Sequence, residues 1–175
     1  MLVVVGLGGN QGSDAEIIGR FRAAVQVLHD RGYGRLMTSQ LYRSAPVGPV
    51  LDQPAFLNAA LAFETCGAVS PLALLIDLLD IEELLGRRRQ HLPSKGPRPI
   101  DLDLLVVDQC RVEVAGPPTL TLPHPGICKR AFVLHPMKDL LGGEFVVPGT
   151  GRTVSQCLDS SEVAAQPIRR LVLAN

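Results

Sequence analysis

The sequence predicts an α+β domain with a mainly antiparallel sheet, on three observations. Several short runs of β-branched and apolar residues are typical of strands, and two longer segments repeat apolar residues at helical spacing. In chain order these elements read β-α-β-β-α-β, which is the order of a split βαβ, or ferredoxin-like, core. Prolines and glycines are spread as punctuation and not gathered into a linker. We therefore expect one sheet with helices packed on it, an α-β-α sandwich.

The first half of the chain supplies one helix and three strands. The segment 2–8 is short and contains a run of β-branched residues, which predicts a strand. Ser13 and Glu16 form a capping-box pattern, so a helix is expected from there to about residue 30. Two strand-like segments follow at 35–44 and 55–65. The Pro/Gly-rich loop between them is long for a plain hairpin, which suggests a functional role.

The second helix and the last strand of the core follow. Ser70 and Pro71 are typical of an N-cap and a first helical turn, and the apolar run after them ends at Gly86. A polar loop then leads into a strand that begins near Ile100.

The last third of the chain is less regular. Residues 130–141 predict a short helix interrupted near Pro136, and residues 153–160 predict another. The tail at 168–174 is interpreted as an edge strand or a docked extension. We expect a single domain over 1–175, with a core at about 1–141 and a C-terminal extension at 142–175.

Composition excludes several classes of partner. The chain has 17 basic and 17 acidic residues, so its net charge does not favour nucleic acids or anionic membranes. The start resembles no secretory leader, and no run approaches the roughly 20 apolar residues that span a bilayer. Four widely spaced cysteines fit neither a zinc site nor a disulfide framework. We expect a cytoplasmic monomer whose partners are small molecules.

The strand after the polar loop contains two aspartates. Asp101 and Asp103 are two residues apart, so they share one face of the strand, about 6.5–7 Å from each other. Ile100, Leu102, Leu104 and Val106 are expected on the opposite, apolar face. Such close carboxylates raise each other's pKa unless a cation lies between them, and hard oxygen ligands suit Mg²⁺. The alternative is a solvated sheet face whose aspartates pair with nearby arginines.

The loop before these aspartates is basic. Five cations lie within twelve residues: Arg87, Arg88, Arg89, Lys95 and Arg98. Some of them are explained by the dipole at a helix C-terminus, which favours basic side chains. Arginines also bind phosphate oxygens bidentately, and a metal bridges the same oxygens. The cluster and the acidic pair together favour a site for a polyphosphate with Mg²⁺.

Two other segments carry candidate binding residues. Phe56 and Asn58 project from one side of a predicted strand and suit a flat heterocycle that is stacked and hydrogen-bonded at once. Their alternative roles are a core aromatic and a cap for a backbone group. His124 between two prolines is more typical of a turn, and Arg130 alone would be surface charge.

The glycines near the N-terminus raise the question of a dinucleotide site. Gly6 and Gly8 begin a G-x-G-x-x-G pattern, but Gln11 stands where the third glycine belongs. The predicted strands also do not alternate one-for-one with helices, which disfavours a nicotinamide-dependent oxidoreductase. These glycines are interpreted as a tight turn with close backbone approach.

Six motifs in order resemble those of the 6-hydroxymethyl-7,8-dihydropterin pyrophosphokinase family. They are GLGGNQG, LYRSAPVG, DQPAFLNAA, IEELLGRRR, GPRPIDLDLL and LPHPGICKRAF, and they cover roughly residues 4 to 140. The Gly-Pro-Arg-x-x-Asp-x-Asp stretch is the signature of that family. The resemblance implies a ferredoxin-like enzyme that transfers diphosphate from ATP to the hydroxyl of the pterin and releases AMP.

The resemblance also implies residue roles, which are expectations for this chain. Two Mg²⁺ ions would be held by Asp101 and Asp103. Catalytic positions would be Arg87, Arg89, Arg98, Asp101 and Asp103. ATP-binding positions would be Glu82, Arg89, Arg98, Leu104, Thr121, His124 and Arg130. The pterin would be bound by Val47, Phe56, Asn58 and Phe132, with the two phenylalanines on either side of the ring.

The chain departs from the family pattern in the basic loop. Lys95 and Gln90 stand where many bacterial members carry a tryptophan and a lysine, so closure of the loop over ATP is expected to rest more on charge. An alternative reading remains, a ferredoxin-like ligand-binding module without catalysis, since a fold does not determine a function. That module would lack a cluster of arginines facing the acidic pair.

Overall fold

The computed structural model describes residues 1–48, 50–88 and 96–172. The strands of the main sheet are β1 (Leu2–Gly9), β2 (Met37–Thr38), β3 (Tyr42–Ser44), β4 (Phe56–Glu64), β5 (Asp101–Val107) and, near the C-terminus, β8 (Ile168–Arg170). A separate hairpin consists of β6 (Val112–Val114) and β7 (Leu120–Leu122). The helices are α1 (Asp14–Asp30), α2 (Pro71–Leu84), α3 (Ala131–Leu141), α4 (Val154–Leu158) and α5 (Ser161–Ala164).

The strand order confirms the predicted fold. The sheet runs β5-β1-β4-β3-β8, with β2 also paired to β4, and the ladders are antiparallel. β1 and β4 lie next to each other in the interior of the sheet, between β5 on one side and β3 on the other, as in a split βαβ arrangement. A dinucleotide-binding fold of the Rossmann type requires a mostly parallel sheet, so that alternative does not fit this chain.

The two faces of the sheet are covered by different helices. Val3 and Val5 of β1 point into a core shared with α1 and α2. Val4 between them points to the other side, into a second core under α3 and α4. This alternation along one strand gives the α-β-α sandwich that the sequence predicts.

The predicted helix starts are also confirmed. Ser13 caps α1 with the expected reciprocal bonds to Glu16, and the Ser70 hydroxyl accepts from the amide of Ala73 at the start of α2. The tail forms strand β8 beside β3, one of the two outcomes expected for it. None of the described helices is both long and apolar enough to cross a membrane.

The segment expected as one strand at 35–44 is two short strands. Met37 pairs with Ala62 whereas Tyr42 pairs with Asn58, so one extra residue lies between β2 and β3 relative to β4. Within this bulge the hydroxyl of Ser39 accepts from the amide of Ala60 at 2.8 Å. The side chain replaces a ladder bond, which is why the strand breaks there.

A second bulge corrects the expected face of Val106. Val5 pairs with Leu104 but Val4 pairs with Val106, so the register shifts by one residue between them. Leu104 therefore faces the core under α1 and α2, while Val106 joins Leu105 in the core under α3. The prediction that Val106 shares a face with Leu104 was wrong, because a bulge reverses the alternation of a strand.

Helix α3 is continuous, which corrects the interruption expected near Pro136. The proline lies inside the helix and removes one backbone hydrogen bond. Leu134 and Met137 on either side are fully buried in the second core. Burial of this face keeps the helix continuous across the proline, because packing contributes more to stability than the one missing backbone hydrogen bond.

Candidate active site

A cavity of about 350 Å³ opens on the face of the sheet that α3 covers. Its floor includes Gly6 and Gly8 of β1, which lie between β5 and β4. Predicted site residues from both halves of the sequence line it: Arg87, Arg98, Asp101, Asp103, His124, Arg130, Val47, Phe56, Asn58 and Phe132. The structure thus brings the acidic pair, the arginines and the aromatic residues into one space.

The register of β1 with β5 and β4 sets the relative position of two parts of the cavity. These are the phosphate half, which contains Asp101, and the aromatic half, which contains Asn58. Gly8 pairs with Asp101 on one side and with Asn58 on the other. Gly6 pairs in the same way with Asp103 and Ala60. Side chains of paired residues in neighbouring strands lie on the same face, so Asp101 and Asn58 flank a strand position that has no side chain.

These glycines correct the expectation of a tight turn. Gly6 and Gly8 lie within β1, where they leave one face of the strand bare. The close backbone approach occurs instead at Gly9, where an added Cβ would lie 2.8 Å from the carbonyl oxygen of Pro99. Glycines two residues apart in a predicted strand share a face, so the spacing of Gly6 and Gly8 was the signal for a bare floor.

Asp101 is held by two arginines. The Arg87 guanidinium bonds to Oδ1 of Asp101, and Arg98 Nε lies 3.0 Å from Oδ2. Arg87 is also 2.5 Å from Oε1 of Glu82, a buried carboxylate that accepts from the amide of Leu102 at 2.6 Å. Although burial lowers the pKa of Arg87, the charges of Asp101 and Glu82 raise it above its ordinary value. Glu82 therefore positions Arg87 beside the acidic pair.

Asp103 differs from Asp101 in its surroundings. It makes no ion pair or hydrogen bond within the described part of the chain. Burial, followed by the charge of Asp101, raises the pKa of Asp103 to about 7, against the opposing effect of Arg130 and Arg98. A bound cation would stabilise the charged form of this carboxylate, so Asp103 is suited to bind one.

The donor set fits Mg²⁺ better than a metal bound by protein groups alone. Among the described residues, no three His, Cys, Asp or Glu side chains form a group that could hold a metal ion. Mg²⁺ typically takes one or two carboxylates and completes its shell with water and substrate phosphates. Asp101 and Asp103 supply such a pair, and the arginines around them suit the phosphates.

Arg98 connects the acidic strand to the aromatic half. Its guanidinium carbon lies 4.9 Å from the centre of the Phe56 ring, while its Nε faces Asp101. Across the cavity, Arg130 lies 5.8 Å from the ring of Phe132 in the first turn of α3. An arginine therefore lies next to each of these two rings, so that a surface for stacking is adjacent to a phosphate-binding group.

His124 is held in one orientation by backbone groups. Its amide donates to the carbonyl of Leu105 at 2.9 Å, and its Nδ1 accepts from the amide of Gly126 at 3.0 Å. Burial, together with the charge of Arg130, lowers its pKa, so the ring is neutral at pH 7. A neutral imidazole that accepts at Nδ1 carries its proton on Nε2.

Three of the predicted residues that the structure describes lie outside the cavity lining. Glu82 acts behind Arg87, and Leu104 is buried in the core on the opposite face of the sheet. Thr121 lies partly exposed in β7. Arg89, like Gln90 and Lys95 of the basic loop, is outside the described residues. The roles expected for Leu104, Thr121 and Arg89 stay predictions.

Asn10 lies within the GLGGNQG motif but was not among the predicted site residues. Its side chain is almost fully buried, and its Nδ2 donates to Oε1 of Gln53 and to the carbonyl of Pro54, both at 3.0 Å. Its Oδ1 accepts from the amide of Arg98 at 2.9 Å. One side chain thus joins the loop before Phe56 to the segment that carries Arg98. Single asparagines after a strand are common, so only the fold reveals this link.

Comparisons with known proteins agree with this geometry. The family model described as 7,8-dihydro-6-hydroxymethylpterin-pyrophosphokinase (HPPK) matches residues 4–142. The 2-amino-4-hydroxy-6-hydroxymethyldihydropteridine pyrophosphokinase of Synechocystis is 35% identical over 163 residues, covering 93% of this chain and 77% of that protein. The folic acid synthesis protein fol1 of Pneumocystis carinii is 36% identical over 153 residues, covering 87% of this chain.

Several of these relatives are longer than the region they share with this chain. The match spans 19% of fol1 and 27% of a folate synthesis bifunctional protein of Arabidopsis thaliana. A crystal structure of an HPPK-DHPS in complex with substrates superposes with a TM-score of 0.66 at 12% identity, covering 89% of this chain and 42% of that one. At that identity the likeness concerns the fold, and it supports the ferredoxin-like core.

Proposed function

The chain belongs to the 7,8-dihydro-6-hydroxymethylpterin-pyrophosphokinase family, and on that premise we propose that it transfers diphosphate from ATP to 6-hydroxymethyl-7,8-dihydropterin. In this reaction the exocyclic hydroxyl oxygen bonds to the β-phosphorus of ATP. The bond from that phosphorus to the bridging oxygen of AMP breaks, and the hydroxyl proton is released. The products are AMP and the pterin diphosphate.

One observation carries the proposal: Gly8 is paired with both Asp101 and Asn58. The phosphate-binding half and the heterocycle-binding half therefore face each other across a bare strand position. Holding two substrates side by side in reacting geometry is a large part of what a phosphoryl-type transfer requires. A module that only binds one ligand has no need for this arrangement.

The arginines are placed to bind and orient the phosphates. In the absence of a nucleotide, Arg87 and Arg98 neutralise Asp101. Phosphate oxygens offer the same guanidinium groups a denser negative charge, so we expect the arginines to move their bonds from Asp101 to the nucleotide. Asp101 and Asp103 would then hold Mg²⁺. The family resemblance implies two such ions. When bound, Mg²⁺ would neutralise charge on the transferring group and lower the pKa of the attacking hydroxyl.

The aromatic half would hold the pterin. Phe56 and Phe132 line the cavity on β4 and α3, and Asn58 lies two residues from Phe56 on the same face. A flat ring stacked on these side chains would place its edge against the Asn58 amide. Val47 is 53% exposed at the mouth of the cavity, in the loop after β3, where it can cover a bound ring.

The alternative of a non-catalytic ligand-binding module is less well supported. It predicts an acidic pair without facing arginines, whereas Arg87 and Arg98 contact Asp101. The charge of Arg130 also acts on Asp103, where it opposes the rise in the pKa of that carboxyl group. The expectation of a cytoplasmic monomer stays a prediction.

A coupled assay of AMP release tests the proposal. With ATP, Mg²⁺ and the hydroxymethyl dihydropterin, the wild type should turn over. The rate of AMP release should be roughly 100-fold or more lower in Asp101→Ala and in Asp103→Ala than in the wild type. Losses of this size are typical when a group that stabilises charge in the transition state is removed. Asp80→Ala, an exposed carboxylate on α2, is the matched control. Turnover without Mg²⁺, or in both aspartate variants, would refute the metal role.

A binding experiment separates the two halves of the site. Phe56→Ala and Asn58→Ala should weaken pterin binding by roughly tenfold or more while sparing the affinity for a non-hydrolysable ATP analogue. Titration calorimetry measures both. An equal loss of both ligands would contradict the division of the cavity.

A further inference from the structure

Gln166, near the C-terminus, binds the backbone on both sides of Arg130. Its Oε1 accepts from the amide of Ala131 at 2.9 Å, and its Nε2 donates to the carbonyl of Lys129 at 2.8 Å. The region that matches the family model ends at residue 142, so Gln166 lies outside it. A residue beyond the shared family region therefore contacts the segment that carries an arginine of the cavity wall.

The two bonds hold the Gln166 amide in one orientation. The amide of Ala131 can only donate and the carbonyl of Lys129 can only accept, so the oxygen and the nitrogen of this side chain cannot exchange places. The segment that carries Gln166 is itself anchored. Val163 of α5 is 1% exposed in the second core, and its carbonyl accepts from the backbone amide of Gln166 at 3.0 Å.

Gln166 replaces a cap that α3 lacks. The N-cap residue of this helix is Arg130, whose side chain makes no hydrogen bond to the helix end. Serine or aspartate at that position would supply an oxygen to a free amide of the first turn, but a guanidinium group has only donors. Gln166 supplies the acceptor for Ala131 from a distant part of the chain. The side chain of Arg130 is then available to line the cavity.

The Arg130 side chain is also confined by the turn before it. An added Cβ at Gly126 would lie 2.8 Å from both Cζ and Nε of Arg130, so the guanidinium packs directly on the backbone at Gly126. Its charge opposes the rise that burial causes in the pKa of Asp103. Burial, followed by the same charge, lowers the pKa of His124. A shift of the backbone at Arg130 would therefore move a charge that acts on two other residues of the cavity.

We propose that Gln166 is a positioning residue, which fixes the backbone at Arg130 so that its guanidinium group faces the phosphates of the nucleotide. Gln166 is not among the described residues that line the cavity, so it acts through Arg130 and not on the substrate. The proposal rests on the proposed function, because it takes Arg130 to bind ATP. It gives residues 142–175 a part in the site that the shared family region does not contain.

A double-mutant cycle on nucleotide affinity tests the proposal. Gln166→Met removes both hydrogen bonds and keeps a side chain of similar length, and Arg130→Ala removes the guanidinium group. In Gln166→Met we expect the Kd of a non-hydrolysable ATP analogue, titrated with Mg²⁺, to rise roughly tenfold. In the Arg130→Ala background the same change should alter this Kd by less than about twofold, because the effects of coupled residues are not additive. Titration calorimetry measures each Kd.

Gln156→Met is the matched control, because it removes the same kind of side chain from a helix end away from the cavity. The Oε1 of Gln156 accepts from the amide of Thr153 at 2.9 Å and completes the cap of α4. Loss of this cap lowers the Tm, while the Kd of the ATP analogue should stay that of the wild type. Gln166→Ala is a second variant without the methionine side chain, and its Kd should rise as in Gln166→Met.

Each outcome decides a different point. An equal rise of the Kd with and without the Arg130 guanidinium would overturn the proposal, because Gln166 would then act on the fold alone. An unchanged Kd in Gln166→Ala, or a rise in Gln156→Met as large as in Gln166→Met, would overturn it as well. Wild-type protein that binds the ATP analogue but releases no AMP with the pterin would overturn the proposed function, and the cycle would still decide the role of Gln166.

Discussion

Asn10 and Arg98 hold each other through two reciprocal hydrogen bonds, although they lie 88 residues apart in the chain. The amide of Arg98 donates to Oδ1 of Asn10 at 2.9 Å, and the amide of Asn10 donates to the carbonyl of Arg98 at 3.0 Å. Asn10 also donates to the carbonyl of Pro54. The end of β1 therefore fixes an arginine of the phosphate half and the loop of the aromatic half together.

Asn10→Ala should weaken this link and the fold with it. The substitution leaves the amide of Arg98 and the carbonyl of Pro54 without their side-chain partner, which costs roughly 1–3 kcal/mol of the free energy of unfolding. Because both halves of the cavity lose support, KM should rise for ATP and for the pterin. Urea denaturation and steady-state kinetics measure these effects. Gln11→Ala, an exposed neighbour, is the control, and an effect of Asn10→Ala on only one substrate would contradict the link.

Gly8→Ala should impair catalysis without harming the fold. An added Cβ would lie 3.7 Å from the Cβ of Asp101 and 3.8 Å from Oδ1 of Asn58, which are ordinary contacts. It would, however, occupy the bare floor between the two substrate halves. We expect an unchanged Tm and a fall in kcat/KM of about tenfold or more, as for other small displacements of bound substrates.

Gly9→Ala is the opposite case and serves as a comparison. Its Cβ would lie 2.8 Å from the carbonyl oxygen of Pro99 and 3.2 Å from Cγ2 of Ile17. Overpacking of this kind destabilises by roughly 1–3 kcal/mol, so the Tm should fall. Thermal unfolding and kinetics on both variants separate the two roles. A large loss of Tm in Gly8→Ala would contradict the assignment of Gly8 to the cavity floor.

Asp103 should make the stability of the metal-free protein depend on pH. Burial, followed by the charge of Asp101, raises its pKa to about 7 from an ordinary 3.8. The folded state therefore binds more protons than the unfolded state between these values, and this group lowers the stability as pH rises from about 4 to 7. Asp103→Asn removes the buried charge, so it should stabilise the protein at pH 8, by roughly 1–3 kcal/mol, and have little effect near pH 4.

Urea denaturation with a chelator, at pH 4.5 and pH 8, measures this effect. Asp101→Asn is the matched control, because Arg87 and Arg98 hold that carboxylate and its removal should destabilise the protein at pH 8. Equal effects of Asp103→Asn at the two pH values would contradict the raised pKa.

Tyr42→Phe should loosen α3 from the sheet. The Tyr42 hydroxyl donates to Asp139, with both carboxylate oxygens at 3.1 Å, and burial raises its pKa to about 12, so it remains a donor throughout the assay range. Loss of the bond costs roughly 0.5–1.5 kcal/mol. Since α3 carries Phe132, the affinity for the pterin should fall more than that for ATP. Asp139→Asn keeps an acceptor and should cost less. A variant with full stability and affinity would show that the bond contributes nothing.

The helix starts and the order of the elements along the chain could be predicted because they depend on neighbouring residues. Ser13 and Glu16 cap α1 within one turn, and Ser70 with Pro71 begins α2. The shared face of Asp101 and Asp103 also follows from local alternation. The six motifs indicated the family from the sequence alone.

The bulges could not be predicted because they depend on the partner strand. Nothing in residues 101–107 shows that the alternation reverses at Leu105, since the reversal exists only in the register against β1. The break between β2 and β3 depends in the same way on a bond between Ser39 and Ala60 of β4. The prediction at Pro136 was wrong because the missing backbone hydrogen bond is a local effect that the sequence shows. The burial that compensates for it depends on the tertiary structure.

The sequence by itself determined the ferredoxin-like order, the acidic pair and the candidate residues of both halves of the site. Only the tertiary structure decided that Asp101 and Asn58 flank Gly8, that Arg87 lies between Glu82 and Asp101, and that the Asn58 amide donates to Ser44. The physical reason is that periodicity and capping act over a few residues. Register, ion pairing and the burial of an amide join residues that are distant in the chain, and they are set only when the strands pair and the helices pack.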